Sequence, residues 1–535
     1  MVLISHLTLV NKPFQTHHFL TNISIMKSIY TYVFSLSLAV QVNAQDQTQI
    51  LTIPDAKALP EVKQTLPSEK NLPLIKISST SQDYNIAQPW EKKPTKTKRG
   101  LGVLIGENQI ITTAEMATNA TYIELETIEG KSAMPATTIA VDYEANLALL
   151  SVTSESHKEI LAQLTPLEVA PSASLNDEVK VYQIKDSGKI LETKGVVRGA
   201  DIVSSFVANN YFLTYEVKAS MQSASYSFTI PVIKNGKLLG ILTSYNSDDQ
   251  LLDITAPEII QSFLDDAKDG EYTGFPSLGI STSRTDDPHF RKWLKLEDTQ
   301  GGLFIKQVKR NSTAQKAGIE AGDVLLKIDG NKISRKGYYE SKKYGPLYWS
   351  HLIRGTKKVG ETLSIELIRD GKIITKKVEL TRQQDGLIPS HMFGKAPRYL
   401  IKGGFVFQEL SKSYLQGYGE KWKTRAPIDL LDVLNHPEDY EEGRKRLVIL
   451  SRTIPTEATL GYERISAAII NKVNGTDIAD IPSLVKAFET PGDNGLHTIE
   501  LDNVLKTLYL DAETANKVDA SFLQRGLPSL SRVKE

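Results

Sequence analysis

Leu101-Gly102-Val103-Leu104-Ile105, Gln109-Ile110-Ile111 and Tyr122-Ile123-Glu124-Leu125 set the pattern that decides the fold. Each is a short β-forming run bounded by turn residues. The pattern continues through Leu147-Ala148-Leu149-Leu150, Val179-Lys180-Val181-Tyr182 and Lys237-Leu238-Leu239-Gly240-Ile241-Leu242. Many short strands from Leu74 to about Leu264 predict a sandwich or closed barrels. Ala256-Pro257-Glu258-Ile259-Ile260 predicts a helix, with Pro at an early helical position. From Gly274 the pattern changes: strands flank helix signals such as Thr313-Ala314-Gln315-Lys316-Ala317, with Gly318 after the last turn. A comparable block runs from about Lys402 onward. Asp329-Gly330-Asn331-Lys332-Ile333 and Val473-Asn474-Gly475-Thr476-Asp477-Ile478 are matching Gly-bearing turns, so the two blocks read as a weak internal repeat.

Composition narrows the function. The chain has 535 residues, 40% of them hydrophobic and 24% charged, enough for several domains with cores of their own. Lys plus Arg equals Asp plus Glu at 63 each, so no global field draws the chain to nucleic acid or an anionic membrane. The basic stretch Lys92-Lys93-Pro94-Thr95-Lys96-Thr97-Lys98-Arg99 lacks interleaved aromatics and reads as a solvated loop. Cysteine is absent, which excludes disulfides, thiol nucleophiles and Cys-based metal sites.

Met26-Lys27 opens a short positive region, Ile29 to Val40 is mostly apolar, and Val42-Asn43-Ala44 is a small-residue cleavage pattern. The apolar run is shorter than the ~20 residues that cross a bilayer. Residues 1–25 therefore read as a gene-model extension and 26–44 as a signal peptide. The mature chain would begin at Gln45, be exported to a periplasmic or extracellular location, and carry no transmembrane segment. Residues 45–70, dotted by Pro54, Pro60 and Pro67, read as a linker.

Gly102-Val103-Leu104-Ile105, Ile110-Ile111-Thr112-Thr113-Ala114 and Asp142-Tyr143-Glu144-Ala145-Asn146-Leu147-Ala148-Leu149-Leu150 occur in that order. Together they resemble the "GxGVII", "ILTNxHV" and "DPxxDLALL" segments of the HtrA/Deg family of trypsin-like serine proteases. Gly195-Val196-Val197 and Pro231 through Gly240-Ile241 resemble the strands around the family's nucleophile loop. Tyr84-Asn85 and Pro89-Trp90 resemble its plant-type branch. Pro276-Ser277-Leu278-Gly279-Ile280, Ala317 to Leu325 and Gly461-Tyr462 fall where that branch has PDZ domains. The resemblance implies a mostly β chain with α+β modules: a chymotrypsin-like double β-barrel (71–268), a first PDZ domain (272–383) and a second PDZ-like domain with a C-terminal extension (396–535). It also implies a homo-oligomer.

The resemblance places the family's base His on Glu115 and its orienting acid on Asn146. A carboxylate has no second nitrogen for an acid to hold. An amide cannot stabilise an imidazolium by charge, and this acid-to-Asn change costs about four orders of magnitude in rate in a working protease. Where the family has "GNSGGP", this chain reads Ala224-Ser225-Tyr226-Ser227-Phe228-Thr229-Ile230-Pro231. Anchoring on Pro231 puts Phe228 at the nucleophile, whereas anchoring on Val217 puts Tyr226 there. Ser225 and Ser227 lie within that span. No glycine occurs from Ala200 to Asn235, so the tight turn that makes an oxyanion hole has no support. His157 lies in the barrel region and reads as a solvated loop residue, and Lys218 as a surface residue of a strand. No metal cluster or cofactor is expected.

PDZ domains bind an extended peptide as an added strand, with backbone N–H groups holding its C-terminal carboxylate. Ser277-Leu278-Gly279-Ile280 resembles that loop and strand, facing a helix expected around Leu347 to Leu352. Gly403-Gly404-Phe405-Val406-Phe407 stands at the matching place in the second domain. Tyr338-Tyr339 and Tyr344 are expected to pack an insertion. Three functions fit: a pseudoprotease that binds unfolded or C-terminal peptide segments as scaffold, chaperone or protease partner; an active serine endopeptidase of envelope quality control; or a structural oligomer subunit with blocked grooves.

Overall fold

The computed structural model describes residues 72–534 apart from 131, 186, 188, 205, 208, 209, 223–227 and 503–505. The expected extension, signal peptide and 45–70 linker lie outside these residues, as do Ser225, Tyr226 and Ser227.

The first six strands are β1 (Leu74–Ser81), β2 (Lys96–Gly106), β3 (Gln109–Thr112), β4 (Ala120–Thr127), β5 (Ala133–Asp142) and β6 (Leu147–Val152). They close into a barrel in the order β1-β2-β3-β6-β5-β4. The next six are β7 (Glu178–Ile184), β8 (Ile190–Ser204), β9 (Tyr211–Lys218), β10 (Pro231–Lys234), β11 (Lys237–Asn246) and β12 (Leu251–Thr255). They close a second barrel in the order β10-β11-β12-β9-β8-β7. Closure leaves no strand edge unpaired, which short strands need because their own pairing is weak. The barrels meet where the Leu101 N–H donates to the Thr229 carbonyl at 3.3 Å and the Leu167 N–H to the Leu104 carbonyl at 2.9 Å.

Short helices interrupt the strands: α1 (Ala114–Ala117), α2 (Glu155–Leu161) and α3 (Pro257–Asp266). The expected Pro-led helix is α3, which buries Ile259, Ile260 and Phe263. Two expectations are corrected. His157 sits on α2, not in a loop, because Leu161 anchors that polar run to the barrel core. Lys96 to Arg99 are strand, paired in register from Ser81↔Lys96 to Ser78↔Arg99, with mostly solvent-facing side chains.

The third body holds α4 (Pro288–Trp293), α5 (Thr313–Lys316) and α6 (His351–Arg354). Its strands are β13 (Ile280–Ser283), β14 (Leu303–Val308), β15 (Val324–Ile328), β16 (Asn331–Lys332), β17 (Tyr338–Ser341), β18 (Gly345–Tyr348), β19 (Thr362–Arg369) and β20 (Lys372–Glu379). The main sheet runs β13-β14-β15-β19-β20, which leaves β13 at an edge. The helix expected around Leu347–Leu352 is a third correction of local structure. Leu347 and Tyr348 belong to the β17–β18 hairpin, and only one turn, α6, follows. Gly345 at φ 73° and Pro346, which lacks a donor, break a helix there.

The last body is an eight-stranded sheet of β21 (Tyr399–Lys402), β22 (Phe405–Glu409), β23 (Val448–Thr453), β24 (Ala468–Val473), β25 (Thr476–Asp477), β26 (Leu496–Leu501), β27 (Thr507–Asp511) and β28 (Ser531–Arg532). Phe405, Val406 and Phe407 on β22 are fully buried.

One interior glycine in each barrel sets how closely strands approach. A Cβ on Gly102 would stand 2.5 Å from the Ile110 side chain, and one on Gly240 would stand 2.5 Å from the Thr255 carbonyl oxygen. At Gly240 the obstacle is backbone and cannot rotate away. Gly240→Val is therefore expected to lower stability by about 1–3 kcal/mol, the range for overpacking a tight core. Urea unfolding followed by intrinsic fluorescence checks it; an unchanged midpoint would contradict the close approach.

Candidate functional site

α1 follows β3 directly and lifts Glu115 towards the turn between β5 and β6, where Asn146 sits. Asn146 is buried and left-handed at φ 56°, a conformation that Asn tolerates better than most residues. Its Nδ2 donates to Glu115 Oε1 at 3.1 Å, and its Oδ1 accepts the Glu115 N–H at 3.3 Å. The two positions thus form a closed amide–carboxylate pair. Such a pair can brace a turn, but it offers neither an imidazole to relay a proton nor a second acid to orient one.

The segment that enters β10, read from the sequence as the exit of the nucleophile-equivalent loop, is drawn onto the first barrel. The Phe228 N–H donates to the Arg99 carbonyl at 3.4 Å, and Leu242 donates to the Ile230 carbonyl at 2.9 Å. The Phe228 ring is partly exposed and lies 5.9 Å from the Lys98 ammonium, which itself donates to the Glu115 carbonyl at 3.0 Å. Beneath them the Thr229 hydroxyl is buried against Thr113 (2.7 Å) and Thr112 (3.1 Å). Lys218 ends β9 on the surface, where its ammonium donates to the Asp249 carbonyl. Among the described residues, no group of three or more His, Asp or Glu side chains could hold a metal ion.

The turn that carries Asn146 is gripped at three successive residues, none of which the sequence reading singled out. Asp142 is fully buried; its carboxylate accepts the Ala145 N–H (2.7 Å) and the Tyr272 hydroxyl (2.8 Å), with Arg382 at 3.6 Å. Burial first, and then the Asp142 charge, push the Tyr272 hydroxyl far above the usual tyrosine range. The Tyr143 ring packs on His391 and Phe393, at 5.5 and 5.1 Å between centroids, and Phe393 stacks on Phe206 at 4.9 Å. Glu144 pairs with Arg354 at 2.9 Å; burial raises its carboxyl pKa and Arg354 offsets part of that. The signal in the sequence was the run Asp142-Tyr143-Glu144 itself, two acids and an aromatic directly before an apolar strand.

The four candidate peptide-binding residues lie together at the start of the third body. Ser277 is tied to Thr381 by its N–H (3.0 Å), and its hydroxyl accepts the Gly279 N–H at 3.1 Å. Leu278 is buried. Gly279 is left-handed at φ 71°, and a Cβ there would stand 2.3 Å from both Ser312 and Gln383. Ile280 starts β13, which pairs with β14 on one side and has no strand partner on the other among the described residues. In the last body the matching strand, β22, is paired on both sides, with β21 and β23. The Gly403 N–H there donates to the buried Asp519 carboxylate at 2.7 Å.

PDZ domain models match residues 276–380 and 388–527. Protease Do-like 2, chloroplastic, from Arabidopsis thaliana is 26% identical over 463 residues, covering 85% of this chain and 73% of the relative. Putative protease Do-like 3, mitochondrial, from the same plant is 24% identical over 457 residues, covering 84% and 78%. Periplasmic serine endoprotease DegP of Escherichia coli (strain K12) is 25% identical over 299 residues, covering 54% and 58%. Among solved structures, an HtrA-type protease, AlgW, with a decapeptide aligns at TM-score 0.43 and 18% identity, covering 59% of this chain and 97% of that one. The fold is mostly β: two closed barrels, as in a chymotrypsin-like double barrel, followed by two PDZ domains. The chain is a homologue of the HtrA/Deg proteases. Among the described residues no helix is long and apolar enough to cross a membrane.

A second contact ties the second barrel to the first PDZ domain. The Tyr215 hydroxyl meets Tyr344 at 3.0 Å and Glu258 at 3.2 Å, while Lys343 pairs with Glu258 at 2.6 Å. Tyr339 hydrogen-bonds His351, and burial lowers the His351 pKa to about 4, with Glu258 opposing and Lys343 assisting. The unfolded chain would hold that histidine near the ordinary ~6.5. Above that pH both states are neutral there. Between ~6.5 and ~4 only the unfolded state takes the proton, so stability falls as pH falls, by up to about 3 kcal/mol. In His351→Gln this component should vanish. Unfolding midpoints of both proteins measured from pH 7 to pH 4 check it, and parallel curves would count against the buried neutral imidazole.

Proposed function

We propose that the chain is an exported HtrA/Deg-like pseudoprotease. It binds unfolded or C-terminal peptide segments through its first PDZ domain and acts as a scaffold, chaperone or partner of another protease, as a homo-oligomer. The observation that carries this reading is the reciprocal Glu115–Asn146 pair. A serine nucleophile needs a base with a free lone pair and an orienting charge behind it. Here the base position holds a carboxylate, which has no ring N–H for an acid to orient, and the acid position holds a neutral amide that donates to it.

The Phe228 amide supports the same reading. In a serine protease the N–H of the nucleophile residue is one of the oxyanion donors. With Phe228 at that position, its N–H is committed to the Arg99 carbonyl and is not available to a developing negative charge. The structural-subunit reading draws support from the second PDZ domain, whose β22 is paired on both edges and cannot accept an added strand. Peptide binding is therefore assigned to the first domain, where β13 keeps an edge.

Turnover of an unfolded casein substrate by the chain from Gln45 onward, with a fluorophosphonate probe in parallel, tests the proposal. Neither cleavage nor labelling is expected, and Ser225→Ala and Ser227→Ala should match the parent. Cleavage that disappears in one alanine variant would make the chain a working endopeptidase and overturn the reading of Glu115 and Asn146.

A further inference from the structure

Ser531 and Arg532, the two residues of β28, make few ladder bonds of their own, so this strand depends on what surrounds it. It pairs antiparallel with β21, Leu400 opposite Ser531 and Tyr399 opposite Arg532. The Ile401 N–H donates to the Leu530 carbonyl at 2.7 Å, and the Tyr399 hydroxyl to the Ser529 carbonyl at 3.0 Å. Leu527 and Leu530 pack on the small cluster of Tyr399, Ile401 and Val406. Upstream, the helix Ala512–Gln524 runs out at Gly526, left-handed at φ 94°, and Pro528 cannot continue it. Residues 527–532 thus leave the helix as an extended strap along the outer edge of β21.

Arg532 carries this strap across to the first barrel. Its guanidinium lies 4.8 Å from the Tyr84 ring centroid and 5.2 Å from that of Tyr399. One ring belongs to the loop between β1 and β2, the other to β21. Its Nη1 donates to the Pro89 carbonyl at 2.9 Å and to the Pro397 carbonyl at 3.2 Å, again one acceptor from each body. Trp90 packs edge-on against Tyr399 at 6.1 Å and joins the cluster that holds Leu527 and Leu530. The barrel loop keeps its shape through its own hydrogen bonds, from the Asn85 N–H to the Glu91 carbonyl (3.0 Å) and from the Glu91 N–H to the Gln88 carbonyl (2.8 Å). A guanidinium set against aromatic rings, with neutral carbonyls as acceptors, is recognised by its flat faces and its fork of donors; a Lys ammonium matches both less well. Leu530 and Arg532 stand two residues apart, which on an extended chain places them on one face.

We propose that the Tyr84–Trp90 loop and the outer edge of β21 form one receptor for an extended segment of the pattern Leu-x-Arg. Residues 527–532 are its resident ligand and fasten the last body to the first barrel. The site is separate from the β13 edge and from the Glu115–Asn146 pair, and it depends on the reading of neither. The strap can be exchanged because it lies at a sheet edge beyond Gly526, held by contacts that a free peptide of the same sequence reproduces.

The test uses the full chain, its Arg532→Ala variant and a fluorescent peptide spanning Leu527 to Lys534. The peptide is expected to bind Arg532→Ala roughly tenfold more tightly than the parent, whose own strap fills the site. The same peptide carrying Arg532→Ala should lose that affinity, and one carrying Arg532→Lys should recover part of it. Amide hydrogen exchange across residues 84–92 should be faster in the Arg532→Ala chain than in the parent, and slow again when the peptide is added. Tyr84→Leu, on the barrel side, should speed exchange at residues 529–532, which keeps the test open if the Arg532 variant misfolds. Equal peptide affinity for parent and variant, binding indifferent to the peptide's arginine, or unchanged exchange at 84–92 would overturn the proposal. So would a parent oligomer that dissociates in Arg532→Ala, because the strap would then serve a second copy.

Discussion

A carboxylate without access to water must find its partners inside the protein, and Asp142 finds two hydrogen bonds and an ion pair on three segments at once. It holds its own turn through the Ala145 N–H, the entry to the first PDZ domain through Tyr272, and the exit from that domain near Arg382. Leaving such a group unsatisfied would cost several kcal/mol. The barrel turn and both ends of the PDZ domain are thus held in one arrangement. Tyr143 and Glu144 follow Asp142 along the chain and are placed by it, and so is Asn146. The Glu115–Asn146 site inherits its geometry from an interdomain contact as much as from its own barrel.

The same contact positions the turn on which the Glu115–Asn146 pair depends. The left-handed, buried Asn146 is bonded to Glu115 through both its amide oxygen and its amide nitrogen, which fixes the orientation of its side chain. In a working triad the acid's strength lies in a charge that responds when the base takes a proton. The pair here is neutral on one side and bonded in both directions, which favours a fixed turn over proton traffic. The Thr112, Thr113 and Thr229 hydroxyls beneath it continue the theme: three buried polar groups satisfy one another across the barrel junction.

Much of the fold was legible because barrel strands write themselves as short β-forming runs bounded by turn residues. Leu101 to Ile105 and Leu147 to Leu150 fall in β2 and β6, which line the first barrel. Pro257 opened α3, and Gly318 closed α5 in the left-handed region. The β17–β18 hairpin was misread because Leu347-Tyr348-Trp349 carries apolar residues compatible with either period. Gly345-Pro346, which decides between them, acts through backbone conformation and a missing donor. His157 was read as loop because its polar neighbours hide the anchoring role of Leu161. The Asp142–Tyr272 and Glu144–Arg354 contacts span long stretches of chain, and no local pattern encodes such partners.

The two PDZ domains differ in where the carboxylate that ties them down comes from. Asp519 belongs to the same domain as Gly403 and Lys402, on the helix Ala512–Gln524 that is part of that body. Removing it would mean opening a domain core. Glu144 reaches Arg354 across a domain boundary, and interdomain surfaces resemble transient interfaces more than cores. The domain whose β13 keeps a free edge among the described residues is the one tied to the barrel, and the domain with the buried Asp519 has no free edge at β22.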